Sequence, residues 1–197
     1  MGLVRTVDPA ISVVEFEDAV KQVELPADDT THTRHLARAI KSAIADAERH
    51  TRRAFITQTW RLSLQCFPCR RIYIPRPPLQ SVTSIVYVNE AGATTTLSSS
   101  LYQVSTDASP GFIEPAYGQS WPTIRSETLD PIKITYVAGF GSDSENIPDQ
   151  YKNLIYELVA FRFMNRGDTD QDIPKHIKWS LQSLRCGAMY DYFGVKN

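Results

Sequence analysis

Apolar residues recur at helical spacing near both ends of the chain and at alternate positions through its long middle, so the pattern reads helix, then strand, then helix. Leu36, Ile40, Ala43, Ile44 and Ala47 mark an amphipathic helix running through about His50. Ahead of it, Ser12-Val13-Val14-Glu15 has capping-box spacing and predicts a short helix over about Ser12 to Val23, broken by Leu25-Pro26-Ala27-Asp28-Asp29-Thr30. Past Pro148, which suits a first helical turn, Tyr151, Leu154, Ile155, Leu158, Val159 and Arg162 predict a third helix that ends near Gly167. An acidic stretch, Asp168-Thr169-Asp170-Gln171-Asp172, then leads to Pro174 and a last helix over about Lys175 to Tyr192.

Between the second and third helices the period becomes two. Ile56 to Leu64 alternates polar with β-branched and aromatic residues and reads as a strand. Further strands are expected at Arg71 to Ile74, Val82 to Val88, Thr94 to Leu97, Tyr102 to Ser105 and Ile132 to Val137, with Asn89-Glu90-Ala91-Gly92 as a hairpin turn. Prolines at 68, 75, 77, 78, 110, 115, 122 and 131 fall between these strands, where edges and turns are interrupted. The predicted class is α+β: a helical core of about four helices with an antiparallel β region inserted at about 55–140, between the second and third helices. This body, 1–167, precedes an acidic linker and terminal helix, 168–197.

Composition narrows the function. The formal charge of -1 over 197 residues removes the simplest sign of a nucleic-acid binder, a strongly basic domain. The most apolar stretch, Leu154 to Phe163, is far short of the roughly 20 residues that span a bilayer and contains Glu157 and Arg162. Met1 to Glu17 has no continuous apolar segment after Arg5, so no signal peptide is expected. Three cysteines do not make a disulfide framework and fit a reducing compartment such as the cytosol.

Motifs that could carry chemistry are thin. Cys66-Phe67-Pro68-Cys69 has redox or zinc spacing, yet a turn and strand follow it instead of a helix, and no second ligand pair accompanies it. His32 and His35, close to Asp28 and Asp29, could share a helix face and hold a divalent ion; a solvated first turn is the simpler reading. Glu48, Glu114 and Glu157 stand as isolated carboxylates. Gly139-Phe140-Gly141 is followed by acidic residues where a phosphate would sit. Arg49, Arg52 and Arg53 offset the dipole at a helix end, and Arg70, Arg71 and Arg76 form a second small basic cluster. No cofactor is called for.

The terminal helix says more. Ile177, Leu181, Leu184 and Ala188 form one apolar stripe, while Trp179, Cys186 and Phe193 fall on another side, with Met189, Tyr190 and Tyr192 adding apolar area. Two apolar faces call for two surfaces: burial against another chain, or a groove in the helix's own domain.

Taken in order, Glu48-Arg49-His50-Thr51-Arg52-Arg53, Gln58-Thr59-Trp60, Phe67-Pro68, Pro78-Leu79-Gln80-Ser81-Val82-Thr83-Ser84-Ile85, Trp121-Pro122 and Ile134-Thr135-Tyr136-Val137-Ala138-Gly139-Phe140-Gly141 form a distinctive series. It resembles the head-to-tail connector, or adaptor, proteins of long-tailed bacteriophages, relatives of which occur in gene transfer agents. The likeness covers about Ser12 to Arg166, including the helix from Pro148 to Asn165-Arg166. One departure is Arg52, where the family often has a glycine that ends the second helix in a left-handed cap.

The resemblance implies a non-enzymatic virion protein, made in the bacterial cytoplasm and located in the neck. There it would form a dodecameric ring between the portal protein and a tail-side neck or stopper protein, with DNA passing through the lumen without sequence-specific binding. In such adaptors the C-terminal helix docks on the portal, which assigns docking to Ile177, Trp179, Leu181, Leu184, Met189, Tyr190 and Phe193. Asp143 and Glu145, or Asp168, Asp170 and Asp172, are candidates to line the lumen or face the next neck protein, because a conduit should not grip phosphate. Ring closure needs unlike patches, one supplied in part by the β insert. The competing readings are a small metal-dependent hydrolase using His32 and His35, and a DNA-binding packaging factor.

Overall fold

The structure, a computed structural model, describes residues 2–26, 32–165 and 172–187. The chain opens with strand β1 (Gly2–Val7) and helices α1 (Phe16–Gln22) and α2 (Thr33–Thr51), then runs through seven strands. These are β2 (Gln58–Leu64), β3 (Ile72–Tyr73), β4 (Leu79–Val88), β5 (Thr94–Thr96), β6 (Tyr102–Ser105), β7 (Phe112–Pro115) and β8 (Ile132–Ala138). Helices α3 (Asp149–Met164) and α4 (Lys175–Ser183) follow. All strand pairs are antiparallel, in a five-stranded sheet of order β1-β2-β8-β4-β5 and a three-stranded sheet of order β3-β7-β6.

The α+β class with a β region between α2 and α3 is as the pattern predicts, with one correction: β1 precedes the helices and pairs with β2, from Gly2 opposite Ser63 to Val7 opposite Thr59. Its partner lies more than fifty residues away, so no local turn signal announces it. Strand β7 is also new. Pro110 precedes it, and Pro115, its last residue, closes the pairing opposite Tyr102, a place where proline is tolerated at a strand end.

Helix α1 begins at Phe16, one turn later than the capping-box spacing suggests, and Glu15 caps it without a side-chain bond. Val13 and Val14 are buried as the chain enters the helix, so their burial takes precedence over a local cap worth about 1 kcal/mol. Helix α2 ends with Arg52 in the left-handed conformation, φ 58° and ψ 33°. The cap is therefore retained without glycine, and the cost of a Cβ there, about 1–2 kcal/mol, is borne by contacts on either side. The Thr51 carbonyl accepts from Cys186 N–H at 2.9 Å, and Arg53 Nε donates to the Leu184 carbonyl at 3.2 Å.

Apolar residues divide into two cores. Leu36, Ala43 and Ala47 of α2 meet Leu154, Ile155, Leu158 and Val159 of α3, with α1 and α4 closing the sides. The second core lies on the inner face of the large sheet, where Leu62, Ile134 and Ile85 sit opposite one another across β2, β8 and β4 and pack on Ile72 and Ile113 of the small sheet. The cores join at Ala54, Phe55 and Ile56: Ala54 belongs to the sheet side, while Phe55 and Ile56 belong to the helical side. Phe140 N–H donates to Phe55 O at 2.8 Å and Thr57 N–H to Gly141 O at 2.9 Å. Gly139, at φ 137°, is required here, because a Cβ would lie 2.6 Å from the Ile56 and Thr57 backbone.

Candidate functional site

Helix α4 has only one apolar stripe against its own body. Ile177 and Leu181 are 2% and 4% exposed within the helical core, and Leu184 packs half-buried beside them. Three of the residues assigned to docking thus face their own domain, because the i, i+4, i+7 stripe fits the groove between α2 and α3. Trp179 points the other way and is 76% exposed. Met189, Tyr190 and Phe193 lie outside the described residues, and α4 ends at Ser183, short of the expected Tyr192, with Cys186 buried just beyond it.

The acidic candidates separate. Asp143 and Glu145 are exposed between β8 and α3, where Asp143 accepts a hydrogen bond from Ser142 Oγ at 2.8 Å. Asp172 is exposed and pairs with Lys178 Nζ at 2.8 Å. Asp168 and Asp170 lie outside the described residues.

Glu48 is not the isolated carboxylate that its sequence neighbours suggest. It is buried, and its Oε1 accepts from Gln58 Nε2 at 2.7 Å and from Phe55 N–H at 3.2 Å. Arg5 on β1 lies 3.6 Å from its Oε2. Its backbone carbonyl accepts from Arg76 at 2.6 Å. Arg5 and Arg76 both lie over the ring of Trp60, at 5.9 and 5.2 Å. Burial holds the Arg76 guanidinium below its ordinary pKa, with Glu48 opposing the shift. The knot ties α2, β1, β2 and the segment before β4 together, so its charges have a structural use. A clue existed in the sequence: Glu48 follows Ile40 and Ile44 at four-residue steps, a charge set in the apolar stripe.

The other motifs are placed plainly. Cys66 and Cys69 are exposed thiols in the loop after β2, and Cys186 is a buried one. His35 is exposed, and His32 meets the edge of Phe163 with ring centroids 6.3 Å apart. Arg71 pairs with Glu114 at 2.8 Å, and Arg49 with Asp46 at 2.9 Å. Among the described residues no cluster of three or more potential metal ligands occurs, and no helix is long and apolar enough to cross a membrane.

Concavities and protrusions remain. A groove of about 720 Å³ runs between the N-terminal segment and α2, with partly exposed Ile11 and Phe16 on one bank and Ile40 and Ile44 on the other. On the β region, Tyr117 is fully exposed and Leu129 is 84% exposed. A smaller cavity of about 290 Å³ opens where the end of α2 meets the chain between β3 and β4.

No family model and no curated protein matches the sequence. Among solved structures the likeness is extensive. A chain in the neck of an empty gene transfer agent (GTA) particle, computed with C6 symmetry, superposes with a TM-score of 0.80 at 22% identity, covering 95% of this chain and 97% of that one. A chain in the virion of a native GTA particle gives the same score, identity and coverage. A third, from the neck of a native GTA particle computed with C12 symmetry, gives 0.74 at 24% identity with the same coverage. The fold is that of these particle proteins.

Proposed function

We propose that this protein is a structural head-to-tail connector of a tailed phage or GTA-like particle, forming a ring below the portal. The observation that carries the reading is the full-length fold match to chains of GTA necks, two of them from assemblies computed with C6 and C12 symmetry. The connector-like motif series in the sequence supports it independently of the superposition.

In this reading the chain works by shape. Ring closure needs a protrusion and a recess on the same chain. Tyr117 and Leu129 on the β region supply the first, and the groove between the N-terminal segment and α2 supplies the second. Trp179 on the outer face of α4, with Met189, Tyr190 and Phe193 beyond it, meets the portal; Ile177, Leu181 and Leu184 anchor that helix from beneath. Asp143 and Glu145 face the lumen or the tail-side partner, and the near-neutral charge of the chain lets DNA slide without a strong phosphate grip.

The test is removal of the gene from the producing cell, followed by imaging of the particles. Filled heads without joined tails, restored by the intact gene, are the expected result. Sealed, tailed and infectious or transducing particles formed without the protein would refute the reading. A steep salt-dependent affinity for DNA would favour the packaging-factor alternative, and turnover abolished by replacing His32 and His35 would favour the hydrolase.

A further inference from the structure

Helix α2 carries its exposed charge with one sign. Arg34, Arg38, Lys41, Ala45 and Arg49 recur at steps of four and three residues, so they lie along one exposed face, and all but Ala45 are basic. The carboxylates of the helix are used elsewhere: Glu48 is buried in its knot, and Asp46 is largely covered and pairs with Arg49 and Arg162. Arg34, Arg38 and Lys41 have no ion-pair partner among the described residues. Like charges at these spacings repel one another along a helix, and a chain of net charge -1 has no general surplus of cations to account for them. The stripe is a local concentration of charge open to an external anion.

It also borders the 720 Å³ groove. Lys41 and Ala45 stand on the α2 bank beside Ile40 and Ile44, with Ile11 and Phe16 on the N-terminal bank. That second bank carries Asp8, paired with Arg5 at 2.7 Å, and exposed Glu15. Apolar area rimmed by charge is the anatomy of a protein interface, whereas a phosphate backbone makes no use of the apolar part.

The β region presents the complement. Leu129 is 84% exposed, with Glu127 and Asp130 on either side of it. Both acidic residues hold the left-handed backbone, at φ 59° and 47°, in a loop that sets an apolar side chain between two carboxylates. Glu127 is exposed, and Asp130 accepts from Gln65 Nε2 at 3.1 Å. Their Cα atoms are at most about 11 Å apart, three residues along the chain, and Arg34 to Lys41 spans about 10 Å of helix. Tyr117, the other protrusion, has only Ala116, Gly118 and Gln119 around it and offers no charge to match.

We propose that loop 127–130 of one copy seats Leu129 in the groove of the next, with Glu127 against Lys41 and Arg38. The proposal rests on the ring reading and names what the basic face of α2 meets: the acidic loop of a second copy. Apolar contact supplies the hold. The charges fix the register, because a reversed seating sets Glu127 against Asp8 and Glu15.

The test mixes two full-length chains that both carry Cys66→Ser and Cys69→Ser, one with Ala45→Cys on the α2 face and the other with Thr128→Cys beside Leu129. A short bismaleimide is expected to join unlike chains about tenfold more than like ones, since the contact is between different patches. Lys41→Glu in the first chain is expected to lower that yield about tenfold, and Glu127→Lys in the second to return it to within about twofold. Absence of the unlike pair, like pairs in equal yield, or a yield unmoved by Lys41→Glu would each overturn the proposal. So would duplex DNA that shields the Ala45→Cys thiol in the parent and not in Lys41→Glu, which gives the stripe to a phosphate backbone. Cross-linking needs neither portal nor particle, so the two readings fail separately. Tail joining that survives removal of the gene removes the connector reading whatever the cross-link shows; tail joining lost with the gene, and no unlike pair, removes this contact alone.

Discussion

Glu48→Ala should loosen the joint between the helices and the sheet far more than Glu48→Gln. The alanine variant leaves the Phe55 N–H and the Gln58 amide buried without their acceptor, which lies at 3.2 and 2.7 Å in the intact protein. Each stranded buried donor costs about 1–3 kcal/mol, so the pair costs about 3–5 kcal/mol. The glutamine variant keeps an oxygen at the acceptor position and loses the attraction to Arg5. That attraction acts over 3.6 Å with the Arg5 side chain 38% exposed, and solvent screening holds it to about 1 kcal/mol at most. Urea unfolding followed by tryptophan fluorescence separates the two, given a two-state transition. With a slope of about 2 kcal/mol per molar urea, the midpoint should fall by about 1.5–2.5 M for alanine and by about 0.5 M or less for glutamine. Equal shifts in the two variants, or a shift below about 0.5 M for alanine, would refute the reasoning that buried hydrogen-bond satisfaction, and not charge, is what Glu48 supplies.

Other consequences follow from the same geometry. Leu181→Ala should cost about 2–5 kcal/mol in thermal or urea unfolding, because it opens a void between α4 and its groove; Trp179→Ala should change stability by less than about 0.5 kcal/mol and yet weaken capture by isolated portal rings in a pull-down. Arg52→Gly should raise the melting temperature slightly, since relief of about 1–2 kcal/mol at a left-handed cap exceeds the added chain entropy of glycine, about 0.5–1 kcal/mol; calorimetry checks the sign. Gly139→Ala should destabilise by about 2–5 kcal/mol, with strain at φ 137° adding to collision with the Ile56 and Thr57 backbone, and circular dichroism melting reads the loss.

Helix α2 shows what can be read from residues alone, because an amphipathic stripe with its polar complement leaves one orientation toward a core. The same holds for β2 and β8, whose alternation matches their burial except at Gln58, a polar residue on the buried side, and Val137, an apolar one on the outer side, and for the Asn89 turn, where Ala93 N–H donates to the Asn89 side chain at 2.9 Å. Strands β1 and β7 were not legible: the first is stabilised by a partner distant in sequence, and the second is framed by prolines that speak against a strand locally. The candidate site divided in the same way. Two apolar faces on the terminal helix were visible from spacing, but which of them the body would absorb was not; Ile177 and Leu181 are absorbed and Trp179 is left outside.

The sequence by itself determined the periods, and periods fix which side chains share a face: the helical stripe of α2 and α3, the alternating strands between them, and the lack of a compact motif for bond-making chemistry. Only the tertiary structure decided what each face meets. It placed Glu48 beneath Arg5 and Phe55, brought the end of α4 onto the end of α2, and set the basic face of α2 beside an apolar groove. The physical reason is that period is a property of the local backbone, whereas partnership depends on loop closure between distant segments, and the long-range burial that compensates its entropy leaves no local mark.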